Sequence, residues 1–165
     1  MVDYPEHLPG FSYIGRHRYS LTFCTFERIP HFRDSEIVAA AWTQILRAAR
    51  EEEMEITAYC FMPDHVHLIV EGVSEVSDLK KFISRAKQYS GYHYSQTHGR
   101  RKLWQRYGFE HVLRDDESTQ RSVRYVIENP VRKGLVKHPR EYQFMGSSVF
   151  GLQQLLEFAY EVQAG

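Results

Sequence analysis

Two apolar runs, "MEITAYCFM" and "HVHLIVEG", stand on either side of a bare Pro63-Asp64. No other feature restricts the fold as tightly. Both runs are rich in β-branched and aromatic residues, and Pro followed by Asp suits the central positions of a type I turn, so the stretch predicts a β-hairpin. Side chains two apart on a strand share a face at a spacing of ~7 Å. His65 and His67 therefore project together, while Val66, Leu68 and Val70 point the other way. Two imidazoles so placed can converge on one metal ion; the plain alternative is two unrelated histidines on a solvated sheet face. A divalent ion wants further ligands, so a third donor is expected elsewhere in the chain.

Around the hairpin the sequence alternates strands and helices. "RYSLTFCTF" predicts a first strand around Tyr19 to Phe26. "DSEIVAAAWTQILRAAREEE" sets Ile37, Val38, Ala41, Trp42, Ile45, Leu46 and Ala49 at helical spacing behind an Asp34 or Ser35 N-cap. After Gly72, "SDLKKFISRAKQYSG" predicts a second helix with Leu79, Phe82, Ile83 and Ala86 on one stripe and Lys80, Lys81, Arg85 and Lys87 turned away. "FEHVLR" reads as a fourth strand and "DDESTQRSVRYVIENP" as a third helix, ended or kinked at Pro130, with Gly134 as a cap. A short C-terminal helix, "LQQLLEFAYEVQ", follows. The order β-α-β-β-α-β predicts an α+β, ferredoxin-like (RRM-like) split β-α-β fold, with an antiparallel sheet, helices on one face and a third helix beyond. Residues 1–165 read as a single domain with a short C-terminal helical extension.

Charge is unevenly spread along a chain of 165 residues whose formal net charge is zero. From Asp78 to Arg114 there are nine Lys or Arg against two acids, whereas Met1 to Ser77 holds six against twelve. Such a basic segment is what a localised phosphate-binding surface looks like, and the bland reading is a solvated helix face. Cys24 and Cys60 lie inside predicted strands without zinc-finger spacing, which points to free core thiols, a reducing compartment and a cytoplasmic location. No secretory leader and no membrane span is expected.

The third predicted helix carries an apolar stripe of Val123, Val126 and Ile127. At 100° per residue, Tyr125 and Asn129 fall away from that stripe one turn apart, flanked by Arg121 and Arg132. The pair would give one helix face a nucleophile and an oxygen ligand. A phenol with a free pKa of ~10 serves as nucleophile where a metal polarises the electrophile, and a phosphodiester meets that need. The alternative is a surface tyrosine and a helix-ending asparagine. Tyr92 and Tyr94 are rival nucleophiles, Tyr89 reads as core, Glu128 is a rival ligand, His111 a packed strand histidine and Glu71 solvated.

The combination of "MPDHVHLIV", "LWQRYGFEHVLRDD", "RYVIENPVRKGLV" and "YQFMGSS" resembles the REP-associated tyrosine transposases, within the single-tyrosine HUH (IS200-like) transposase family. The similarity runs from about Tyr19 to Ser148. It implies that His65 and His67 are the HUH pair, that Asn129 is the third metal ligand, and that Tyr125 attacks DNA to leave a 5′-phosphotyrosine and a free 3′-OH. Mg²⁺ or Mn²⁺ would be the cofactor, and single-stranded or hairpin DNA with REP-like repeats the partner, bound by a monomer or homodimer. Phosphate contacts are expected from Lys80, Lys81, Arg85, Lys87, Arg100, Arg101, Lys102, Arg106, Arg121 and Arg132, with Trp104 or Tyr107 as a base-stacking surface. Two other classes compete: a catalytically inactive nucleic-acid-binding module, and a metal-dependent phosphohydrolase on small substrates.

Overall fold

A computed structural model of the chain describes residues 10–161. Its elements run β1 (Arg18–Cys24), α1 (Ser35–Glu51), β2 (Met54–Met62), β3 (His65–Gly72), α2 (Leu79–Thr97), β4 (Phe109–Leu113), α3 (Asp116–Arg132), β5 (Met145–Gly146) and α4 (Leu152–Tyr160). The sheet is five-stranded in the order β4-β1-β3-β2-β5, and every pairing is antiparallel. This is the expected ferredoxin-like arrangement, extended by the short β5 that the sequence does not announce.

The hairpin forms with Met62 paired to His65 across Pro63 and Asp64, neither of which has positive φ, as a type I turn requires. Three hydrogen bonds pin it. The Asp64 carbonyl accepts from the Thr25 amide at 2.9 Å and the Thr25 hydroxyl at 3.0 Å, and the Phe32 amide donates to the Pro63 carbonyl at 3.0 Å.

Each sheet face has its own apolar layer. Leu21, Phe23, Phe61, Val66 and Leu68 pack beneath α1 and α2. On the other face, Ala58, Cys60, Met62 and Ile69 meet Val123, Val126 and Ile127 of α3 and Leu155, Leu156 and Ala159 of α4. Strict alternation would put Ile56 and Ala58 on one face. A bulge between them breaks the alternation, leaving Ile56 under α1 and turning Ala58 toward α3.

Coverage of the α3 face is partial. Leu113 is buried there, but Phe109 and His111, four and two residues earlier on the same side of β4, are exposed. His111 is thus not the packed histidine expected from its alternation, because the helices lie over β2 and β3 rather than over the outer strand.

Helix ends follow local chemistry. Asp34, Asp78 and Asp115 cap α1, α2 and α3 by accepting from backbone amides. Helix α2 passes Gly91 and continues to Thr97, so Tyr92 and Tyr94 ride on the layer opposite the histidines: Tyr94 is buried and stacked on His98 at 4.3 Å, and Tyr92 is exposed. Tyr89 packs against that layer and donates its hydroxyl to Glu51 at 2.5 Å. Helix α3 does not end at Pro130 but runs through it to Arg132. It stops at Gly134, whose φ of +73° permits a Schellman closure: Gly134 donates to the Val131 carbonyl at 3.0 Å and Leu135 to the Pro130 carbonyl at 2.9 Å. The last residues of the predicted C-terminal helix, Val162 and Gln163, lie outside the described residues.

Cys24 and Cys60 are buried free thiols. Among the described residues no helix is long and apolar enough to cross a membrane.

Gly72 closes the histidine strand where a side chain has no room, since a Cβ there would stand 2.1 Å from the Gly15 carbonyl oxygen and 2.8 Å from Ser77 Cβ. Gly72→Ala should therefore lower stability by about 1–3 kcal/mol, read as a reduced urea midpoint with unchanged slope.

Candidate active site

His65 and His67 project from β3 toward α3, and their Nε2 atoms face one another at 3.1 Å. Their remaining ring nitrogens are both held. His65 Nδ1 lies 2.7 Å from Asp64 Oδ1, and His67 Nδ1 lies 3.0 Å from Thr22 Oγ1 on the neighbouring strand. Asp64 is itself anchored by Arg28 Nε at 2.9 Å. Burial opposes the Asp64 charge, but the hydrogen bonds from Arg28 and His65 outweigh it and hold the carboxyl below its ordinary range. An ionised Asp64 accepts a hydrogen bond from Nδ1–H of His65, which leaves the Nε2 lone pair free. Thr22 can donate or accept, so His67 can carry its proton on either nitrogen.

Desolvation lowers the pKa of both imidazoles, and that of His67 to about 4, with the nearby His65 and Arg132 adding to the effect. Both rings are thus neutral at physiological pH. Neutral nitrogens at this separation suit a shared cation, because two ligands ~2.1 Å from a six-coordinate ion and at right angles stand about 3 Å apart. No third His, Cys, Asp or Glu joins them among the described residues. Further donors would have to be an amide, water or a substrate oxygen.

Asn129 is the amide that the sequence offers. Expected on the far side of α3 with Tyr125, it is instead only 3% exposed. Four residues along a helix advance the side chain by about 40°, toward Val126, so Asn129 sits at the margin of the buried stripe. Tyr125 is 56% exposed, and its ring packs edge-on to His67 with centroids 6.2 Å apart. The phenol and the imidazoles meet within one chain.

Arg132 lies across that phenol. Its Cζ is 4.0 Å from the ring centroid, and its guanidinium donates to the Tyr125 carbonyl and, at 3.5 Å, to Glu128. Glu128 accepts in turn from the Tyr160 hydroxyl of α4 at 2.8 Å. It is a strut between helices rather than a rival ligand.

The expected phosphate contacts divide. Lys87 does not present a free charge: its ammonium donates to the carbonyls of Gln105 and Arg106 at 2.9 and 3.1 Å, and burial lowers its pKa. Arg85 is paired with Glu51 and Glu52, and Arg121 lies 3.9 Å from Glu117. Trp104 is no stacking surface, being 8% exposed with its indole N–H donated to Ser90 at 2.8 Å. Lys80, Lys81, Arg100, Arg101, Lys102 and Arg106 are exposed. A groove of about 610 Å³ between α2 and the 100–110 segment is rimmed by Lys80, Arg100, Arg101 and Arg106, with Tyr107 and Phe109 in its wall.

The acid behaviour of the fold follows from His67. Unfolded, it takes a proton near pH 6.5; folded, not until about pH 4. The unfolded chain binds more protons between those values, so stability in metal-free buffer should fall as pH drops from 6.5 toward 4. Replacing His67 with Gln should flatten that slope, as read from urea midpoints at pH 7 and pH 5.

The chain matches the family described as "Transposase IS200 like" over residues 13–129. The REP-associated tyrosine transposase of Escherichia coli (strain K12) is 27% identical over 103 residues, covering 61% of this chain and 58% of that protein. A putative REP-associated tyrosine transposase of Haemophilus influenzae (strain ATCC 51907 / DSM 11121 / KW20 / Rd) is 27% identical over 100 residues, covering 54% and 57%. The matched region thus spans less than three fifths of either relative. Among solved structures, a REP-associated tyrosine transposase bound to a REP hairpin superposes with a TM-score of 0.72 at 22% identity, covering 88% of this chain and 82% of that one. A putative transposase from Deinococcus radiodurans R1 gives a TM-score of 0.52 at 21% identity, with 75% and 96% covered. Both share the fold. The family match takes in both histidines, the helix-borne tyrosine and Asn129, and the chain belongs to the IS200-like transposases.

Proposed function

We propose that this chain is a single-stranded DNA endonuclease and strand transferase acting at hairpin repeats, with Tyr125 as nucleophile. One observation carries the reading: two imidazoles have facing Nε2 atoms 3.1 Å apart, and an exposed phenol packs against one of them in the same chain. Support comes from family membership and from the structural neighbour, which is described bound to a REP hairpin.

Tyr125 Oη attacks the scissile phosphorus as the bond from phosphorus to O3′ breaks. The phenolic proton passes to solvent, the departing oxygen takes up a proton as a 3′-OH, and the 5′ side remains joined to the enzyme as a phosphotyrosine. An incoming 3′-OH reverses these events on another strand, which is transposition. His65, His67 and Asn129 would hold Mg²⁺ or Mn²⁺, which supplies charge neutralisation and orientation of the scissile phosphate. Imidazole is a softer ligand than Mg²⁺ prefers, and so favours Mn²⁺. Thr22 and Asp64 hold the two imidazole rings in their nearly perpendicular arrangement, and Arg132 limits where the phenol can swing. Tyr125 packs against His67 of the same chain.

With Mn²⁺ and a labelled hairpin oligonucleotide, the expected product is an SDS-resistant protein–DNA adduct that Tyr125→Phe abolishes. Cleavage that survives this substitution would favour a metal-dependent phosphohydrolase, and retention without cleavage a binding module. His67→Ala should abolish cleavage while leaving hairpin affinity within a few fold, because phosphate contacts away from the metal supply most of the binding. Reversing the charge of Arg100 and Arg101 together should weaken binding and reduce the slope of log K against log salt by about 1–2. An unchanged slope would remove that loop from the DNA surface.

A further inference from the structure

Exposed aromatic side chains gather along one margin of the sheet. Phe26, Tyr107 and Phe109 are all exposed, and cations lie over two of them: Lys102 at 5.5 Å over Phe26 and Arg106 at 5.3 Å over Tyr107. Lone surface aromatics need no explanation, whereas aromatics interleaved with exposed cations mark a path for a nucleic-acid strand.

Phe109 is the one whose position relative to the histidines is fixed by strand register. Thr22 pairs with His67 on one side and with Phe109 on the other, so His67, Thr22 and Phe109 form a row across three neighbouring strands. Paired residues in an antiparallel sheet point to the same face. Phe109 therefore shares the face of the imidazoles, about 10 Å from His67 at the usual strand spacing. It is 53% exposed, on the half of that face which α3 and α4 leave open. It also lines the basic groove, whose rim carries Arg100, Arg101 and Arg106, so one ring borders both the groove and the open half of the histidine face.

We propose that Phe109 is a stacking platform for a base of the single strand next to the scissile phosphate, so that DNA enters along the basic groove and turns over β4 at this ring. The occupant is a single-stranded nucleotide because the rim is cationic and the wall aromatic. A duplex has no free base face to offer at this point. The inference rests on the proposed DNA-cleaving function and adds to it a determinant of where the strand is placed. Stacking is tolerant of base identity, so Phe109 would set position along the strand more than sequence.

The test uses the full chain in EDTA with a hairpin oligonucleotide carrying oligo-dT flanks, in which 2-aminopurine replaces one flank base at a time. Fluorescence should be quenched on binding at one flank position above all others. Phe109→Ala should abolish that quench and weaken binding about 5- to 150-fold, while Phe109→Trp should retain both. Circular dichroism of each variant reports folding. Equal quenching and affinity in wild type and Phe109→Ala would overturn the platform. Adduct assays with Mn²⁺ on the same oligonucleotides separate the two ideas. A Tyr125-dependent adduct with no Phe109-dependent quench sinks the platform alone, and a Phe109-dependent quench with no adduct sinks the nuclease reading alone. Absence of any DNA binding sinks both.

Discussion

Everything at the candidate site depends on the register of the β2–β3 hairpin. Side chains alternate along a strand, so a slip of one residue would carry both imidazoles into the apolar layer beneath α1 and α2 and bring Val66 and Leu68 to the α3 face. The two-residue turn at Pro63 and Asp64 resists that slip, and so do the hydrogen bonds from Thr25 and Phe32 to the carbonyls of those two residues. Asp64 belongs to both systems. Its backbone fixes the turn while its carboxylate orients His65, so correct register and correct imidazole tautomer arise from one residue.

A helix with its side chains is roughly 10 Å across, about the width of two strands. Helix α3 starts three residues after Leu113, is tied to β1 by the Arg18–Asp116 ion pair at 2.6 Å, and packs its stripe over β2 and β3 with α4 beside it. Those two helices bury one half of the histidine face and leave Phe109 and His111 of β4 in solvent. The imidazoles sit at the boundary. They are buried enough to remain neutral, yet a strand lying on the open half could reach them.

Most of the framework was legible because it rests on local rules. The hairpin strands have the boundaries of their apolar runs, the N-cap aspartates stand where the periodicity begins, and the phenol lies off the apolar stripe of α3 as its spacing demands. What remained hidden was tertiary. The run quoted for the second helix ends at Gly91, yet α2 continues past it to Thr97, and Trp104 packs 3.7 Å from the position a Cβ on Gly91 would take. Lys87 looks like a surface cation until the 100–110 segment folds over it and its carbonyls accept the ammonium's hydrogen bonds. The bulge after Ile56 exchanges the two faces of β2 without any glycine or proline to mark it. Asn129 lies so near the stripe margin that angular counting alone could not decide its burial.

The proposed nucleophile stands on an exposed helix face, where its rotamers are free to spread unless something outside the core confines them. Here the confinement comes from a chain of contacts: Arg132 covers the ring of Tyr125, Glu128 holds Arg132, and the Tyr160 hydroxyl of α4 holds Glu128. Burial and the bond to Glu128 raise the pKa of Tyr160 to about 12, so it stays a hydrogen-bond donor at any physiological pH. Gln120 and Arg124 stand on the same ridge of α3 and donate to the C-terminal carbonyls of α4 at 2.7–3.0 Å, where the helix dipole favours a cation. Helix α4 thereby acts at a distance from the chemistry. By fixing the ridge that carries Glu128, it sets the position of the guanidinium, and through that guanidinium the angle at which the phenol faces the histidines.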